Sequence, residues 1–275
     1  MDIPAYFRRI RLASARLPTR AFLDDLVQHH TSSIPFENLS VVVEGPPSLD
    51  LNAIETKLVR NGRGGYCYEH NSLFQAVLTG LGYEVTGLSA RVLYGLPSGT
   101  LSPRSHMVLC VDMPDARMLV DVGFGGLTLT AAIDMTTEAE QDTLNEKVRV
   151  LSVGPSRLVQ AKLGQAWVDV YQFDFAEQLR PDYEQQNWYA ATRPNSLFAN
   201  NLIVTMPTRD GRYALFNRAL TFRTQAGEKQ VQGIANADSL RTVLKDVFSI
   251  ALSNRELERV WEVSGNQRPA HPGFS

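Results

Sequence analysis

Cysteine is scarce in this chain, with two residues among 275, and long apolar runs are missing. Cys67 and Cys110 stand far apart and outside any CxxC or Cys/His spacing, which excludes a disulfide framework and a zinc site of the usual spacing. No apolar stretch approaches the roughly 18 residues of a membrane-spanning helix. The first residues lack the basic start and apolar run of a signal peptide. We therefore expect a cytoplasmic protein without a bound metal.

An excess of charge of one sign is also missing. Lys and Arg number 27 and Asp and Glu 29, which gives a formal net charge of −2. Proteins that bind nucleic acid or anionic membranes need a clustered basic face, and this balance does not indicate one. Hydrophobic residues at 44% and charged residues at 20% are ordinary globular usage. We expect small-molecule partners, and neither nucleic acid nor a membrane.

The spacing of apolar residues changes twice along the chain and predicts three parts. Residues 1–82 read mainly as helices, among them one capped by Thr19 and one from Cys67 to about residue 81. Residues 83–185 read as short strands with turns between them, which is typical of a small barrel or sandwich. These strands are predicted at 83–88, 90–94, 106–113, 117–122, 148–153, 158–163 and 166–173.

Residues 186–275 form the third predicted part, which mixes helices and strands. It contains a turn or helix around 187–201 and a helix over 238–251. Its strands are predicted at 202–207, 213–217 and 219–223. The expected fold class of the whole chain is α+β.

Cys67 stands where a glycine-rich turn becomes a helix. Helix N-termini present unpaired N–H groups and a partial positive charge, which favours a thiolate over a thiol. A thiolate nucleophile also needs a base, best oriented by a carboxylate. Without such partners, a lone cysteine is more often an inert core residue. Cys110 has neither glycines nor a helix start beside it, and we expect it in the core.

Five histidines compete for the role of the base. His29 and His30 lie at the predicted end of a helix, where a cation complements the helix dipole, and are expected to be structural. His70 follows the cysteine by three residues on the same helix and is expected to point outward. His271 stands in a proline-rich tail. His106, which opens a strand, is the best-placed candidate.

A tight β-hairpin is predicted to bring His106 close to a carboxylate. A two-residue loop at 114–115 pairs Met113 with Ala116 and makes His106 and Asp121 diagonal neighbours on one face. A shift of two residues would pair His106 directly with Asp121, and their side chains can span either gap. A three-residue loop would instead place them on opposite faces of the hairpin.

Asp121 lies in an otherwise apolar strand, where an unpaired carboxylate is costly. A pair with His106 would satisfy this carboxylate and orient a base for Cys67. A structural salt bridge with Arg91 or Arg104 would satisfy it equally. The strand pattern leaves both explanations open.

Taken together, these residues resemble the arylamine N-acetyltransferases. The signature of that family is an Arg-Gly-Gly-x-Cys-x-Glu-x-Asn run, then a His that opens a strand, then an Asp in a Val-Asp-Val-Gly-Phe-Gly segment. The matching residues here, in the family's order, are 63–71, His106 and 120–125. Further matches, which extend the resemblance over most of the chain, are 35–39, 187–189 and 194–198.

The resemblance implies a helical bundle that carries the cysteine, a β-barrel that carries the His and Asp, and an α/β lid. The core would be similar to that of papain-like and transglutaminase-like cysteine enzymes. The implied activity is ping-pong transfer of an acetyl group from acetyl-CoA, through acetyl-Cys67, to an aromatic amine, an arylhydrazine or an N-hydroxyarylamine. A homodimer is compatible with this reading.

The resemblance also implies roles for particular residues. The catalytic triad would be Cys67, His106 and Asp121. The residues that bind the arylamine would be Phe36, Phe124 and Phe198. The residues near the pantetheine and pyrophosphate of CoA would be Gly125 and Gly126, in a turn that lets backbone approach a bulky ligand.

Two other activities would use the same triad. An amide synthase of macrolactam biosynthesis joins an aromatic amine to a larger acyl chain, and a cysteine hydrolase uses water as the acceptor. A binding protein with a vestigial site is a third alternative. The reactivity of Cys67 separates the enzymes from the binding protein, and the preferred acyl donor and acceptor separate the enzymes from one another.

Overall fold

The N-terminal part is a group of helices that pack around the one that carries Cys67. The computed structural model describes residues 1–265. Its first elements are α1 (Ile3–Ile10), α2 (Arg20–Ser33), β1 (Phe36–Glu37), α3 (Leu39–Val43), α4 (Leu51–Glu55), a π-helical turn (Thr56–Arg60) and α5 (Cys67–Gly80). The Thr19 hydroxyl accepts the Phe22 N–H at 3.3 Å, which caps α2 as predicted. The predicted start of a helix at Cys67 is also confirmed.

An eight-stranded antiparallel sheet follows and curls into a barrel. Its strands are β2 (Glu84–Val92), β3 (Arg104–Asp112), β4 (Arg117–Val120), β5 (Ile133–Asp134), β6 (Gln141–Asp142), β7 (Lys147–Val153), β8 (Ser156–Leu163) and β9 (Ala166–Phe173). They are ordered β5-β4-β3-β2-β9-β8-β7-β6 in the sheet. Most of the predicted strands are present, with bounds that differ by a few residues.

Strand β3 is buried on both faces, which explains its nearly continuous apolar run. Met107 and Leu109 pack in the core that also contains the buried face of α5. Val108 and Cys110 belong to the separate core inside the barrel, so Cys110 is a core residue as predicted. Because side chains alternate along a strand, His106 faces the same side as Val108 and Cys110.

One continuous strand, β2, replaces the two predicted at 83–88 and 90–94, so that prediction is wrong. The polar residue between them, Ser89, stays in the strand and is 1% exposed. Its hydroxyl donates to Gln186 Oε1 at 2.8 Å, so its burial leaves no hydrogen bond unmade. The irregularity in this strand is a β-bulge that directly follows Ala90.

The C-terminal part contains α6 (Arg180–Thr192), α7 (Leu197–Asn200), β10 (Ile203–Thr208), β11 (Gly211–Phe216), β12 (Ala219–Thr224), β13 (Lys229–Gly233), α8 (Ala237–Asp246) and α9 (Asn254–Ser264). The helix predicted over 238–251 ends early, and Ser249 beyond it has left-handed backbone with a φ of 57°. Neither β13 nor α9 is among the predicted elements. Every residue of β13 is exposed, so its sequence lacks the apolar alternation from which a strand could be predicted.

A five-stranded antiparallel sheet joins distant parts of the chain, in the order β1-β10-β11-β12-β13. Phe36 of β1 lies opposite Thr205 of β10, so the N-terminal segment contributes an edge strand to the C-terminal sheet. The expected boundary between residues 185 and 186 falls inside α6. That helix contacts the barrel directly, since the Tyr183 hydroxyl donates to Leu88 O at 3.1 Å.

Candidate active site

Cys67 is the first residue of α5 and is 3% exposed. Tyr66 before it is extended, with φ −108° and ψ −169°, so the chain turns into the helix directly at the cysteine. Glu69 closes this turn, since its Oε2 accepts the Tyr66 N–H at 3.2 Å. The N–H groups of a first helical turn have no partner within the helix and direct a partial positive charge toward the thiol.

Gly64 and Gly65 allow two other segments to pack directly on this turn. A Cβ on Gly64 would lie 2.0 Å from Pro35 O, and one on Gly65 would lie 2.8 Å from Glu69 Oε2. The Glu37 N–H donates to Gly65 O at 2.7 Å. The glycine pair is therefore required for close packing, which holds the turn between β1 and α5.

Arg63 and Lys57 hold the same turn through carboxylates. The Arg63 guanidinium lies 3.0 Å from Glu37 of β1 and 3.3 Å from Glu256 of α9. Lys57, in the π-helical turn, pairs with Glu69 at 2.7 Å. Burial raises the pKa of Glu37, but Lys57 and Arg63 outweigh burial and bring this pKa below its ordinary value. The start of α5 is thus tied by ion pairs to β1, α9 and the π-helical turn.

The hairpin of β3 and β4 brings His106 and Asp121 together. Its loop has two residues, because the Met113 N–H donates to Ala116 O at 2.8 Å, and the same register continues along both strands. His106 and Asp121 are therefore diagonal neighbours, which confirms the first of the two predicted registers. Asp121 itself stands one residue beyond the end of β4.

The Asp121 carboxylate is fully buried, and each of its oxygens has a partner. Oδ2 lies 2.7 Å from His106 Nε2. Oδ1 accepts from Asn71 Nδ2 and from the Gly123 N–H, each at 3.0 Å. Asn71 lies one turn after Cys67 on α5, so one helix both carries the thiol and orients the carboxylate. Asn71 has no role predicted from the sequence, although its spacing from Cys67 is a usable signal.

The two arginines considered as alternative partners of Asp121 have partners elsewhere. Arg104 Nη1 donates to Asp174 Oδ1 at 3.1 Å, and Arg91 Nη1 donates to Ser102 O. Neither of them therefore forms the alternative salt bridge. The buried carboxylate is satisfied by His106 and by the donors on Oδ1.

His106 is held in its protonated form by its surroundings. Burial on its own lowers the pKa of His106, but the charge and hydrogen bond of Asp121, together with the adjoining Cys67 side chain, raise the pKa to about 10. Because Nε2 is bonded to Asp121, the ring nitrogen left for the thiol is Nδ1. At neutral pH the site therefore places an imidazolium between a carboxylate and a thiol, an arrangement that stabilises a thiolate.

The raised pKa of His106 predicts how folding stability depends on pH. The pKa of histidine is about 6.5 in an unfolded chain and about 10 here. Stabilisation by the His106–Asp121 pair is complete below about pH 6.5 and is lost as the pH rises through about 10. Relative to His106→Gln, the free energy of unfolding in urea should fall by up to about 1 kcal/mol per pH unit over this range. If the difference in unfolding free energy between wild type and His106→Gln does not change with pH, the raised pKa of His106 is contradicted.

Gly123 packs directly against the backbone of Cys67. A Cβ on Gly123 would stand 2.9 Å from Cys67 Cα and 3.1 Å from Cys67 O. These backbone atoms cannot move away without moving the thiol. Gly123→Ala is therefore expected to lower kcat/KM by about 100-fold, measured with the substrates that the resemblance implies, acetyl-CoA and an aromatic amine. The control is Gly233→Ala, whose new Cβ meets no atom within 4 Å. Equal activity of the two variants would contradict the prediction.

Tyr171, on β9, borders the site and is missed by the sequence analysis. Its ring lies 5.3 Å from the His106 ring and 5.4 Å from the Phe124 ring, between centroids. Its hydroxyl adjoins Asp121, and burial raises the pKa of Tyr171 well above its ordinary value. Phe124 is partly exposed and packs edge-on against His106 at 5.1 Å. No motif surrounds Tyr171, and only the pairing of β9 with β2, the neighbour of β3, brings it here.

Phe36 and Phe198, also predicted to bind the arylamine, lie together beside the start of α5. Their ring centroids are 6.1 Å apart, and Phe198 packs edge-on against Tyr66 at 5.4 Å. Phe198 is partly exposed, whereas Phe36 is 4% exposed and more enclosed. The Asn38 side chain joins the two segments by donating to Phe198 O. The binding roles of these residues stay predictions.

The turn after Phe124 is closed by Thr128. Gly125 has a φ of 90°, which favours glycine. Its N–H donates to Thr128 Oγ1 at 2.6 Å, so this donor already has an acceptor within the turn. Thr128 O in turn accepts from Arg212 of β11 at 2.8 Å, which ties the turn to the C-terminal sheet. Contact of Gly125 and Gly126 with CoA stays a prediction.

The remaining histidines are bonded elsewhere or lie outside the described residues. His70 is fully buried, so the prediction that it points outward is wrong. The reason is that α2 and the segment around Pro35 cover this face of α5, and the His70 ring nitrogens are bonded to His30 and to Pro35 O. His29 Nδ1 lies 3.0 Å from a carbonyl of α1. His271 lies outside the described residues.

Two further kinds of site are absent from residues 1–265, the part of the chain that the structure describes. No group of three or more His, Cys, Asp or Glu side chains there is arranged to hold a metal ion. In the same part of the chain, no helix has both the length and the apolar character needed to span a bilayer.

A cysteine at a helix start, facing an imidazole held by a buried carboxylate, is the arrangement found in cysteine enzymes that act on acyl groups. Comparisons with known proteins narrow this class. The sequence model of a family described as N-acetyltransferase matches residues 20–257. The arylamine N-acetyltransferase of Mycobacterium tuberculosis is 37% identical over 259 residues, which cover 92% of this chain and 91% of that protein. The chain belongs to the arylamine N-acetyltransferase family of acyltransferases.

Solved structures of this family share the fold. The arylamine N-acetyltransferase of Mycobacterium smegmatis is 36% identical with a TM-score of 0.92, and the match covers 97% of this chain and 100% of that chain. The enzyme of Mycobacterium marinum in complex with CoA is 34% identical with a TM-score of 0.90, over 95% of this chain and 99% of that chain. The predicted α+β fold of helical bundle, barrel and α/β lid is therefore confirmed.

Proposed function

We propose that this protein transfers an acetyl group from acetyl-CoA to the nitrogen of aromatic amines, arylhydrazines or N-hydroxyarylamines, through acetyl-Cys67. The observation that carries the proposal is the His106 ring, bonded to Asp121 at 2.7 Å and adjoining Cys67. Family membership supports an aromatic amine as acceptor, and the related enzyme of Mycobacterium marinum, which was solved with CoA, supports a CoA thioester as donor.

The first half-reaction acetylates the enzyme. The Cys67 thiolate attacks the thioester carbon of acetyl-CoA, and a tetrahedral intermediate with an oxyanion forms. The Cys67 N–H, in the first turn of α5, donates to this oxyanion because it has no acceptor within the helix. The carbon–sulfur bond to CoA then breaks, and the leaving sulfur takes the proton from the His106 imidazolium.

The second half-reaction discharges the acetyl group. The amine nitrogen attacks acetyl-Cys67, and the now neutral His106 takes a proton from the nitrogen at Nδ1. The bond between sulfur and carbonyl carbon breaks, which restores the thiolate–imidazolium pair. The flat rings of Phe36, Phe124 and Phe198 would contact the flat ring of the acceptor.

Steady-state kinetics test this proposal. With acetyl-CoA and aniline as substrates, we expect amine-dependent release of CoA and parallel double-reciprocal plots, the pattern of a ping-pong mechanism. Acetanilide should appear in equal amount to the CoA released. CoA release that does not respond to the amine would contradict the proposal.

A cysteine hydrolase is the second candidate, since water could replace the amine. The near-complete burial of Cys67 and His106, each 3% exposed, favours an acceptor that enters with its own apolar surface over water. Hydrolysis and aniline-dependent aminolysis of p-nitrophenyl acetate compare the two directly, and aminolysis should dominate. An amide synthase would instead prefer long acyl thioesters to acetyl-CoA.

We further propose a cytoplasmic location and a division of the chain at residues 1–82, 83–185 and 186–275. In this division the first part supplies Cys67 and the second supplies His106 and Asp121. The homodimer stays a prediction from the sequence, and sedimentation equilibrium of the purified protein tests it.

A further inference from the structure

A chain of hydrogen bonds runs through the helical core behind the nucleophile. The Tyr6 hydroxyl lies 2.8 Å from His30 Nδ1, His30 Nε2 lies 2.8 Å from His70 Nδ1, and His70 Nε2 lies 3.1 Å from Pro35 O. The three side chains are each 0% exposed. The chain connects α1, α2 and α5 to the segment that enters β1.

The direction of each hydrogen bond in this chain follows from its last member. A carbonyl can only accept, so His70 carries its proton on Nε2 and donates it to Pro35 O. A neutral His70 ring then accepts at Nδ1, which requires His30 to donate from Nε2. His30 accepts in turn at Nδ1, and the donor is the Tyr6 hydroxyl. Every polar atom in this series of hydrogen bonds is thus satisfied only when both imidazole rings are neutral.

The surroundings keep both rings neutral. Burial lowers the pKa of His70 to about 4 and brings the pKa of His30 well below its ordinary value. The charged groups that act on them are Arg9, Lys57 and Glu37. Of these only Glu37 favours a proton on His70, and it does not outweigh burial.

The hydrogen-bond chain ends at Pro35, next to an aromatic wall beside the thiol. Phe36 follows Pro35 and stacks on His70, with centroids 6.5 Å apart and planes inclined by 12°. Phe36 packs in turn on Phe198, and Phe198 packs on Tyr66, the residue before the cysteine. A shift at Pro35 would therefore move the ring of Phe36 relative to the start of α5.

We propose that Tyr6, His30 and His70 are positioning residues for the amine acceptor, which set the orientation of Phe36 in the wall that the acceptor contacts. The inference rests on the proposed function and names residues that take no part in its chemistry. The hydrogen-bond chain is anchored on the Phe36 side of α5, so it should govern binding of the amine. Acetylation of Cys67 should proceed without these hydrogen bonds.

His70→Leu tests this directly, because leucine removes both hydrogen bonds and keeps an apolar side chain in the core. We expect the KM for aniline to rise about tenfold, with the rate of Cys67 acetylation by acetyl-CoA within about twofold of wild type. His70→Gln retains one donor and one acceptor and should restore most of the lost affinity. Phe74→Leu is the matched control, since Phe74 lies one turn later on α5 and also packs on His30 but makes no bond to Pro35.

Tyr6→Phe keeps the test informative even if His70→Leu does not fold. It removes only the first donor and should raise the KM for aniline about threefold. Tyr83→Phe, which loses a hydroxyl bonded to Thr19 O, should leave this KM unchanged. An unchanged KM for aniline in Tyr6→Phe and both His70 variants would overturn this inference. Acetylation of Cys67 that slows in step with amine binding would do the same. Either result would leave the proposed function standing. A wild-type protein that acetyl-CoA does not acetylate would overturn the proposed function as well.

Discussion

Asp121→Asn is expected to lower kcat/KM by about 10³- to 10⁴-fold while the protein stays folded. The reason is the fixed orientation of this side chain, whose Oδ1 accepts two N–H groups, from Asn71 and Gly123. Only the amide oxygen can take that place, so the new NH₂ group would face His106 Nε2. His106 would then carry its proton on Nδ1, the nitrogen that faces Cys67, and could no longer accept a proton there.

Asp112→Asn is the matched control for this variant. Asp112 lies on the same hairpin, but its partner is Arg117 at 2.7 Å and its side chain is 40% exposed. Loss of such a surface pair should leave activity within about twofold of wild type. Alkylation of Cys67 by iodoacetamide near neutral pH should slow in Asp121→Asn and stay unchanged in Asp112→Asn. Wild-type turnover by Asp121→Asn would rule out the proposed role of the carboxylate.

Cys67→Ala is expected to remove acetyl transfer almost completely, with a loss of about 10⁵-fold in kcat. Alanine fits the first turn of α5, so the variant should fold like the wild type. The remaining groups can still bind substrates, but without sulfur no acetyl-enzyme forms. Measured CoA release with aniline present should fall to the rate seen without protein.

The other cysteine provides the control for Cys67→Ala. Cys110 is equally buried, at 3% exposure, but burial raises its pKa to about 12, so it stays a thiol at neutral pH. Cys110→Ala should cost about 1 kcal/mol of folding stability through the lost apolar group and keep full acetyl transfer. Loss of turnover in Cys110→Ala, with turnover retained in Cys67→Ala, would reverse the assignment of the nucleophile.

Features with local signals could be predicted from the sequence. The glycine run before Cys67 marks the helix start, and a two-residue loop at the Pro-Asp pair 114–115 predicts that His106 and Asp121 lie on one face of the hairpin. Those two features place Cys67, His106 and Asp121 on known elements, and the family motifs then indicate that the elements meet. The apolar alternation of the middle part likewise predicts the barrel strands.

Features that depend on distant pairing could not be predicted in this way. Tyr171 reaches His106 only because β9 pairs with β2, which pairs on its other edge with β3. Ser89 resembles a strand break until its partner on α6 is known. His70 resembles a surface residue because the residues that bury it come from α2 and the segment before β1. In each case the deciding contact joins parts of the chain that no local pattern connects.

The most direct test of the account is the location of the acetyl group after brief exposure of the protein to acetyl-CoA without an amine. Mass spectrometry of proteolytic peptides should find one acetyl group on Cys67 and none on Cys110, and addition of aniline should remove it with formation of acetanilide. An unmodified Cys67, an acetyl group on another residue, or an acetyl-Cys67 that aniline does not discharge would contradict the account.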